Sequence, residues 1–298
     1  MLELTFDGLC APNPGGTTTY GFVVRNDGRR LAYGYGLAAK PKTPEATNNV
    51  AEFTGLIRGL ERLVAQGLTA QPLTVRGDSQ IVIEARLKDP KLTVLREKAG
   101  RLLEEFPGAT VEHIPREKNW EADTLTQLAR ATYDRARSLD DVTRCVDPDE
   151  LARLKSGAAP ATDSRLPRPA DLTLAGISSA GGAVLREEGT TLVTRGYFHA
   201  GAGPNASVYC TLGRVLRFLR TMNTRWALTV RTDVQFIERQ IAGQSPVGPD
   251  LYEAFVDAER DAGGIATVTS ARAEPGEDLA AAKRLAREAA RARRDVAE

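Results

Sequence analysis

The sequence predicts an α/β protein in which a mixed sheet with helices packed against it occurs twice in tandem. Three observations lead there. Alternating, hairpin-forming β segments come first; segments of helical period then alternate with further strands; and the second half of the chain repeats much of the first.

Leu2, Leu4 and Phe6 alternate with Glu3 and Thr5, which predicts a first strand ending at Asp7, and Cys10 to Gly16 is turn chemistry. Tyr20 to Arg25 and Arg29 to Leu37 are β-prone runs joined through Asn26-Asp27-Gly28, a hairpin signal. From Ala51 to Gly67, Phe53, Leu56, Ile57, Leu60, Leu63 and Val64 fall at helical spacing, with Glu52 on the same apolar stripe. Leu73 to Arg76 then reads as a strand delivering Asp78. Helices are expected over about Ser79 to Leu87 and Thr93 to Glu105, a last strand over Thr110 to Ile114, and a closing helix from Trp120.

With 298 residues, 42% hydrophobic and 27% charged, the chain is long enough for about two buried cores. A net charge of +1 neither supports nor excludes a nucleic-acid partner. Cys10, Cys145 and Cys210 are odd in number and lack zinc-ligand spacing to His113 or His199, which argues against a disulfide framework. The N-terminus lacks the pattern of a signal peptide, and no run approaches the roughly 20 apolar residues of a membrane span. The expectation is a cytoplasmic protein with no membrane association and no obligate protein partner. Turn-rich composition between about Ala136 and Ala170 places the boundary, giving domains at 1–137 and 170–298 with a flexible linker at 138–169 around a possible short helix near Glu150.

Leu73 to Gln80 aligns with Leu228 to Gln235, and the hairpin Phe22 to Arg25 is echoed by Ala183 to Arg186. The acids of the first half do not follow. Asp7 has no counterpart, a valine of Asn205 to Tyr209 takes the Glu52 position, and Asp233 is retained opposite Asp78. Asp278 lies at the same separation from Asp123, although matching Leu285-Ala286-Arg287 to Leu128-Ala129-Arg130 needs a two-residue shift. At most two of four acids survive, too few for paired magnesium ions.

In the first half Asp7, Glu52, Asp78 and Asp123 sit in four separate local patterns. A strand ending on Asp, a helix presenting Glu from its apolar stripe, a second strand ending on Asp and a helix opening on Asp together suit a two-metal phosphoryl-transfer centre. One Asp at a strand-to-helix junction is ordinarily a helix cap, and Asn48 and Asn49 could simply start their helix. Glu52 resists such a reading, because an unpaired carboxylate on an apolar stripe carries a desolvation cost of several kcal/mol. Lys283, Arg284, Arg287, Arg291, Arg293 and Arg294 on the final helix read either as a phosphate-tracking surface or as a solvated face.

Phe6-Asp7-Gly8 with Asn13-Pro14-Gly15-Gly16, Thr47-Asn48-Asn49 leading to Glu52, Asp78-Ser79-Gln80, and Glu121-Ala122-Asp123 occur in the order found in ribonuclease H type 1, which residues 1 to 137 resemble. The resemblance implies a five-stranded mixed sheet, present twice, with the second copy degenerate and inactive. It implies that Asp7, Glu52, Asp78 and Asp123 are catalytic and bind two magnesium or manganese ions. It further implies hydrolysis of the RNA strand of RNA/DNA hybrids, with Asn13, Asn48, Asn49 and Gln80 as substrate contacts and double-stranded RNA as a further candidate partner.

Two family features are missing. The loop Arg116-Glu117-Lys118-Asn119 has no histidine, and Lys88-Asp89-Pro90-Lys91 leads into the next helix with no basic protrusion. The competing expectations are a non-catalytic nucleic-acid-binding or scaffold protein, and a related nuclease acting on double-stranded RNA or DNA junctions.

Overall fold

Asp27 and Gly28 both take positive φ, 47° and 80°, so the Asn-Asp-Gly turn closes as the tight two-residue type that matches strand twist. The structure, a computed structural model, describes residues 1–84, 90–159, 163–263, 265 and 267–297. It divides into two compact units, Met1–Ala161 and Thr162–Glu298. No helix among the described residues is long and apolar enough to cross a membrane.

The first unit runs β1 (Leu2–Ala11), β2 (Thr17–Asn26), β3 (Arg29–Ala39), α1 (Asn48–Ala65), β4 (Leu73–Gly77), α2 (Gln80–Glu84), α3 (Pro90–Glu104), β5 (Thr110–His113), α4 (Trp120–Ala136), β6 (Val142–Cys145) and α5 (Pro148–Ser156). Its sheet has the order β5-β4-β1-β2-β3-β6. β4 lies parallel to β1 and β5, whereas β2, β3 and β6 add antiparallel. The five expected strands are all present and a sixth extends the edge. Leu2, Leu4 and Phe6 of β1 are fully buried against Phe53, Leu56 and Leu60 of α1, the stripe that the helical period marked out. Gly8 permits this approach, since a Cβ there would lie 2.1 Å from the Glu52 backbone nitrogen. Thr47, rather than Asn48 or Asn49, caps α1, accepting from the Val50 amide at 3.3 Å.

The segment expected as a flexible linker is largely built into this unit. β6 pairs with β3, and Asp147 caps α5 by accepting from the Glu150 amide at 2.9 Å. Leu151 and Leu154 of α5 join the first core. α5 lies where the sequence offers a possible short helix near Glu150. The helix expected to run to Leu87 is described only as far as Glu84. The expectation of no basic protrusion turns partly on Lys88 and Asp89, which lie outside the described residues.

The second unit repeats the plan with β7 (Arg168–Ile177), β8 (Ala180–Glu187), β9 (Thr190–Phe198), α6 (Pro204–Thr221), β10 (Trp226–Thr232), α7 (Gln235–Ile241), α8 (Tyr252–Asp261), β11 (Thr267–Arg272), α9 (Glu277–Ala292) and β12 (Val296–Ala297). Its sheet order, β11-β10-β7-β8-β9-β12, is that of the first unit element for element. The chain is therefore α/β, with the ribonuclease H-like sheet present twice in tandem.

A candidate active site on the first unit

β4 ends at Gly77 and delivers Asp78 beside Asp7 of the longer parallel strand β1, just past the last residues that the two strands pair. α1 crosses β1 at Gly8 and adds Glu52. One carboxylate oxygen from each of Asp7, Glu52 and Asp78 lies within 4.8 Å of the others. These acids line a cleft of about 460 Å³ together with Asn48, Asn49, Gln80, His113, Arg116 and Asp123.

Asp7 and Glu52 are buried, 6% and 5% exposed. Burial is the main cause that pushes the Asp7 carboxyl up to about 7, with the Asp78 and Asp123 charges adding to it. Glu52 is raised well above the ordinary glutamate range by burial first, then by Asp7 and Asp78. Glu52 Oε1 accepts from Asn48 Nδ2 at 3.5 Å, but Oε2 is buried without a partner. Such an oxygen facing two further carboxylates calls for a proton or a cation, so this donor set fits hard divalent ions.

Asn119 fixes the arrangement from behind. Its amide Nδ2 donates to Phe6 O and to Asp78 Oδ1, both at 2.8 Å, tying the start of α4 to β1 and to the residue after β4. Thr126 Oγ1 donates to Asp7 Oδ2 at 3.4 Å. Asp123 shares the cleft but stands apart from the close trio. Its oxygens are held by Arg116 Nη2 at 2.9 Å and by Gln127 Nε2 at 2.5 Å.

Of the expected substrate contacts, Asn48, Asn49 and Gln80 line the cleft, whereas Asn13 stands one bond behind, its Oδ1 accepting from the Asn48 amide at 3.1 Å. Sequence reasoning assigned no role to Asn119, Arg116 or His113. An Asn directly before a helix beginning at Trp120 was the available signal for the first, although it bonds to a strand rather than capping its helix. Glu121, inside the matched motif, points away into buried ion pairs with Arg25 and Arg30.

The second unit lacks this chemistry. Asp171 pairs with Arg186 across the sheet as Glu3 does with Arg25, which puts Ala175 at the Asp7 position. Gly176 packs on Val208 as Gly8 packs on Glu52. The match of Asp278 to Asp123 is corrected by the structure. Arg186 Nε donates to both Asp278 oxygens, at 2.9 and 2.8 Å, which is the role of Glu121 toward Arg25, so Ala280 takes the Asp123 position. The same alignment brings Lys283 to the position of Thr126, and its Nζ lies 2.5 Å from Asp233 Oδ2. Only Asp233 of the four acids remains, and it is neutralised from within.

A carboxyl whose native pKa is raised binds its proton more tightly folded than unfolded. Its contribution to stability is therefore complete below about 4, its ordinary value, and is lost as pH rises through the native value near 7. The expected result is that the first unit of the metal-free protein melts at lower temperature at pH 8 than at pH 5. Magnesium or manganese should raise that transition, and more at pH 8, by binding the folded form alone. Calorimetry at the two pH values with and without metal checks this; equal shifts at both would contradict the assignment of Asp7.

Residues 5–129 match the family model described as Reverse transcriptase-like. Over 130 residues the chain is 35% identical to Ribonuclease HI of Halobacterium salinarum, covering 42% of this chain and 61% of that protein. It is 31% identical over 159 residues to a protein of Mycobacterium tuberculosis described as bifunctional, covering 52% of this chain and 41% of the other. The chain thus spans less than two thirds of these curated relatives. Among solved structures, the LC11-RNase H1 complex with an RNA/DNA hybrid is 31% identical, with 46% of this chain and all of that chain covered, at a TM-score of 0.40. The amino-terminal half of this chain thus matches the Reverse transcriptase-like family model and is similar in sequence to ribonucleases H, and it is followed by an acid-poor second copy of the fold.

Proposed function

We propose that the chain is a divalent-metal-dependent endoribonuclease that hydrolyses the RNA strand of RNA/DNA hybrids, with the first unit catalytic and the second in a binding or structural role. The observation that supports this most is the close trio Asp7, Glu52 and Asp78, with the Glu52 Oε2 atom buried and unpartnered.

Asp7, Glu52, Asp78 and Asp123 would hold two magnesium or manganese ions, Asp123 exchanging its contact with Arg116 for a metal. Bound there, the ions supply counter-charge to the scissile phosphate and lower the pKa of the attacking water. The chain's own residues orient the chemistry. Asn119 holds Asp78 in place, and Arg116, released by Asp123, can meet a phosphate oxygen at the mouth of the cleft. Asn48, Asn49 and Gln80 offer neutral donors and acceptors suited to a 2′-hydroxyl across a shallow minor groove. Asn13 supports that contact through Asn48. The family resemblance adds 5′-phosphate and 3′-hydroxyl ends and a cytoplasmic setting.

The deciding experiment incubates the full chain with end-labelled RNA/DNA hybrid, duplex RNA and duplex DNA. Cleavage of the RNA strand of the hybrid is expected with magnesium or manganese and none with chelator. Activity that survives chelation, or cleavage confined to duplex DNA, would refute the reading.

A further inference from the structure

The two copies differ at one helix surface in a way that the loss of catalytic acids does not explain. Arg130 and Asp134 lie one turn apart on α4, and Arg137 is its left-handed C-cap. Arg130 Nε lies 3.6 Å and Arg137 Nη1 3.8 Å from the Asp134 carboxylate, so the acid between them offsets part of their charge. The alignment fixed by the Glu121 and Asp278 ion pairs places Arg287 and Arg291 opposite Arg130 and Asp134, with Arg294 at the sequence offset of Arg137 but one residue past the C-cap of α9. The central acid has become a third arginine.

All three side chains are exposed, and among the described residues none makes an ion pair or hydrogen bond. The acids nearest in sequence are engaged elsewhere. Glu288 lies 3.8 Å from Arg284, while Asp295 accepts from the Phe198 amide at 3.0 Å and pairs with Arg214 at 3.4 Å. Like charges spaced one turn apart on a helix repel, so within the chain the exchange is unfavourable. The negative end of the helix dipole offsets only part of this.

We propose that these arginines, on the last turns of α9 and just past its end, bind the phosphate backbone of a nucleic-acid duplex. Arg287 and Arg291 stand about 6 Å apart along α9, and Arg294 follows just past its C-cap Arg293, together presenting forked donors suited to a linear polyanion. None of the exposed large hydrophobic residues of the molecule lies on α9, so the face lacks the apolar anchors on which a protein interface depends. Backbone contact needs none, because neutralising phosphates and releasing their counterions supplies the affinity. The choice of an RNA/DNA hybrid as the duplex rests on the function proposed above.

The test measures binding of a fluorescent RNA/DNA hybrid to the full chain in chelator, over a series of salt concentrations. Arg291→Asp restores the pattern of α4. It is expected to weaken binding about tenfold near 0.1 M salt and to make the slope of log K against log salt shallower by about 0.9 for each phosphate that is no longer neutralised. The triple Lys variant of Arg287, Arg291 and Arg294 keeps the charge and should bind close to wild type, which separates charge from helix integrity. Unchanged affinity and slope for Arg291→Asp would overturn the proposal, as would synthetic polyglutamate binding as tightly as the hybrid at equal salt. Because no turnover occurs in chelator, absent cleavage in the separate activity assay would sink the proposed reaction while leaving this result to stand.

Discussion

Asp7→Asn should abolish metal-dependent cleavage of an RNA/DNA hybrid, a fall of at least about 10³-fold, comparable with or beyond the loss of a single transition-state contact. The substitution keeps the shape of the side chain and removes a charge from the centre of the trio. Glu52 and Asp78 would then face each other with one fewer anionic oxygen to share a cation. Metal-free stability should move the other way, because Asp7 is 6% exposed and its ionisation is opposed by burial and by two neighbouring carboxylates. Asn at this position relieves that cost, so the first unit should melt higher without metal at pH 8 while losing its response to magnesium. Asp233→Ala is the matched control in the second unit and should leave turnover near wild type. Comparable losses from the two substitutions would show that the copies have been assigned the wrong roles.

Glu121→Gln should lower the stability of the first unit by about 3–5 kcal/mol, the usual consequence of leaving a buried cation uncompensated. At about 2–4 °C per kcal/mol for a unit of this size, the corresponding melting transition should fall by about 10 °C. The Glu121 side chain is 8% exposed, between Arg25 at 21% and Arg30 at 1%, so Arg30 can recover little hydration when its partner is lost. Asp278→Asn provides the contrast. Its pair with Arg186 leaves the two side chains 33% and 36% exposed, and surface pairs of this kind contribute about 0–1 kcal/mol. Differential scanning calorimetry of the full chain reads both. Equal shifts would mean that burial does not set the worth of these anchors.

Much of this molecule was legible in its residues. Strand alternation, the Asp27-Gly28 turn and the stripe from Phe53 to Val64 specify their elements locally, because backbone sterics and a single buried face act over short range. The four acids were legible as a set because Asp78 and Asp123 sit where an element ends or begins and Asp7 and Glu52 face inward, although β1 runs past Asp7 to Ala11 rather than ending there. Other features depend on distant partners. β6 exists only because β3 offers an open edge, and Asn119 matters only through the Phe6 carbonyl and Asp78. Loop lengths also differ between the copies, so no single separation aligns every element. A sequence offset matched Asp278 to Asp123, whereas the ion pair with Arg186 identifies its counterpart as Glu121.

Lys283 in the place of Thr126 gives the second unit a counter-ion on a tether, one that dialysis cannot remove and scarcity cannot withdraw. On the function proposed above, one half of the polypeptide would feel the supply of alkaline-earth ions, and the other would be indifferent to it. Under magnesium starvation the amino-terminal half would loosen while its companion kept its shape, so the chain would lose catalysis before it lost its grip on a bound partner.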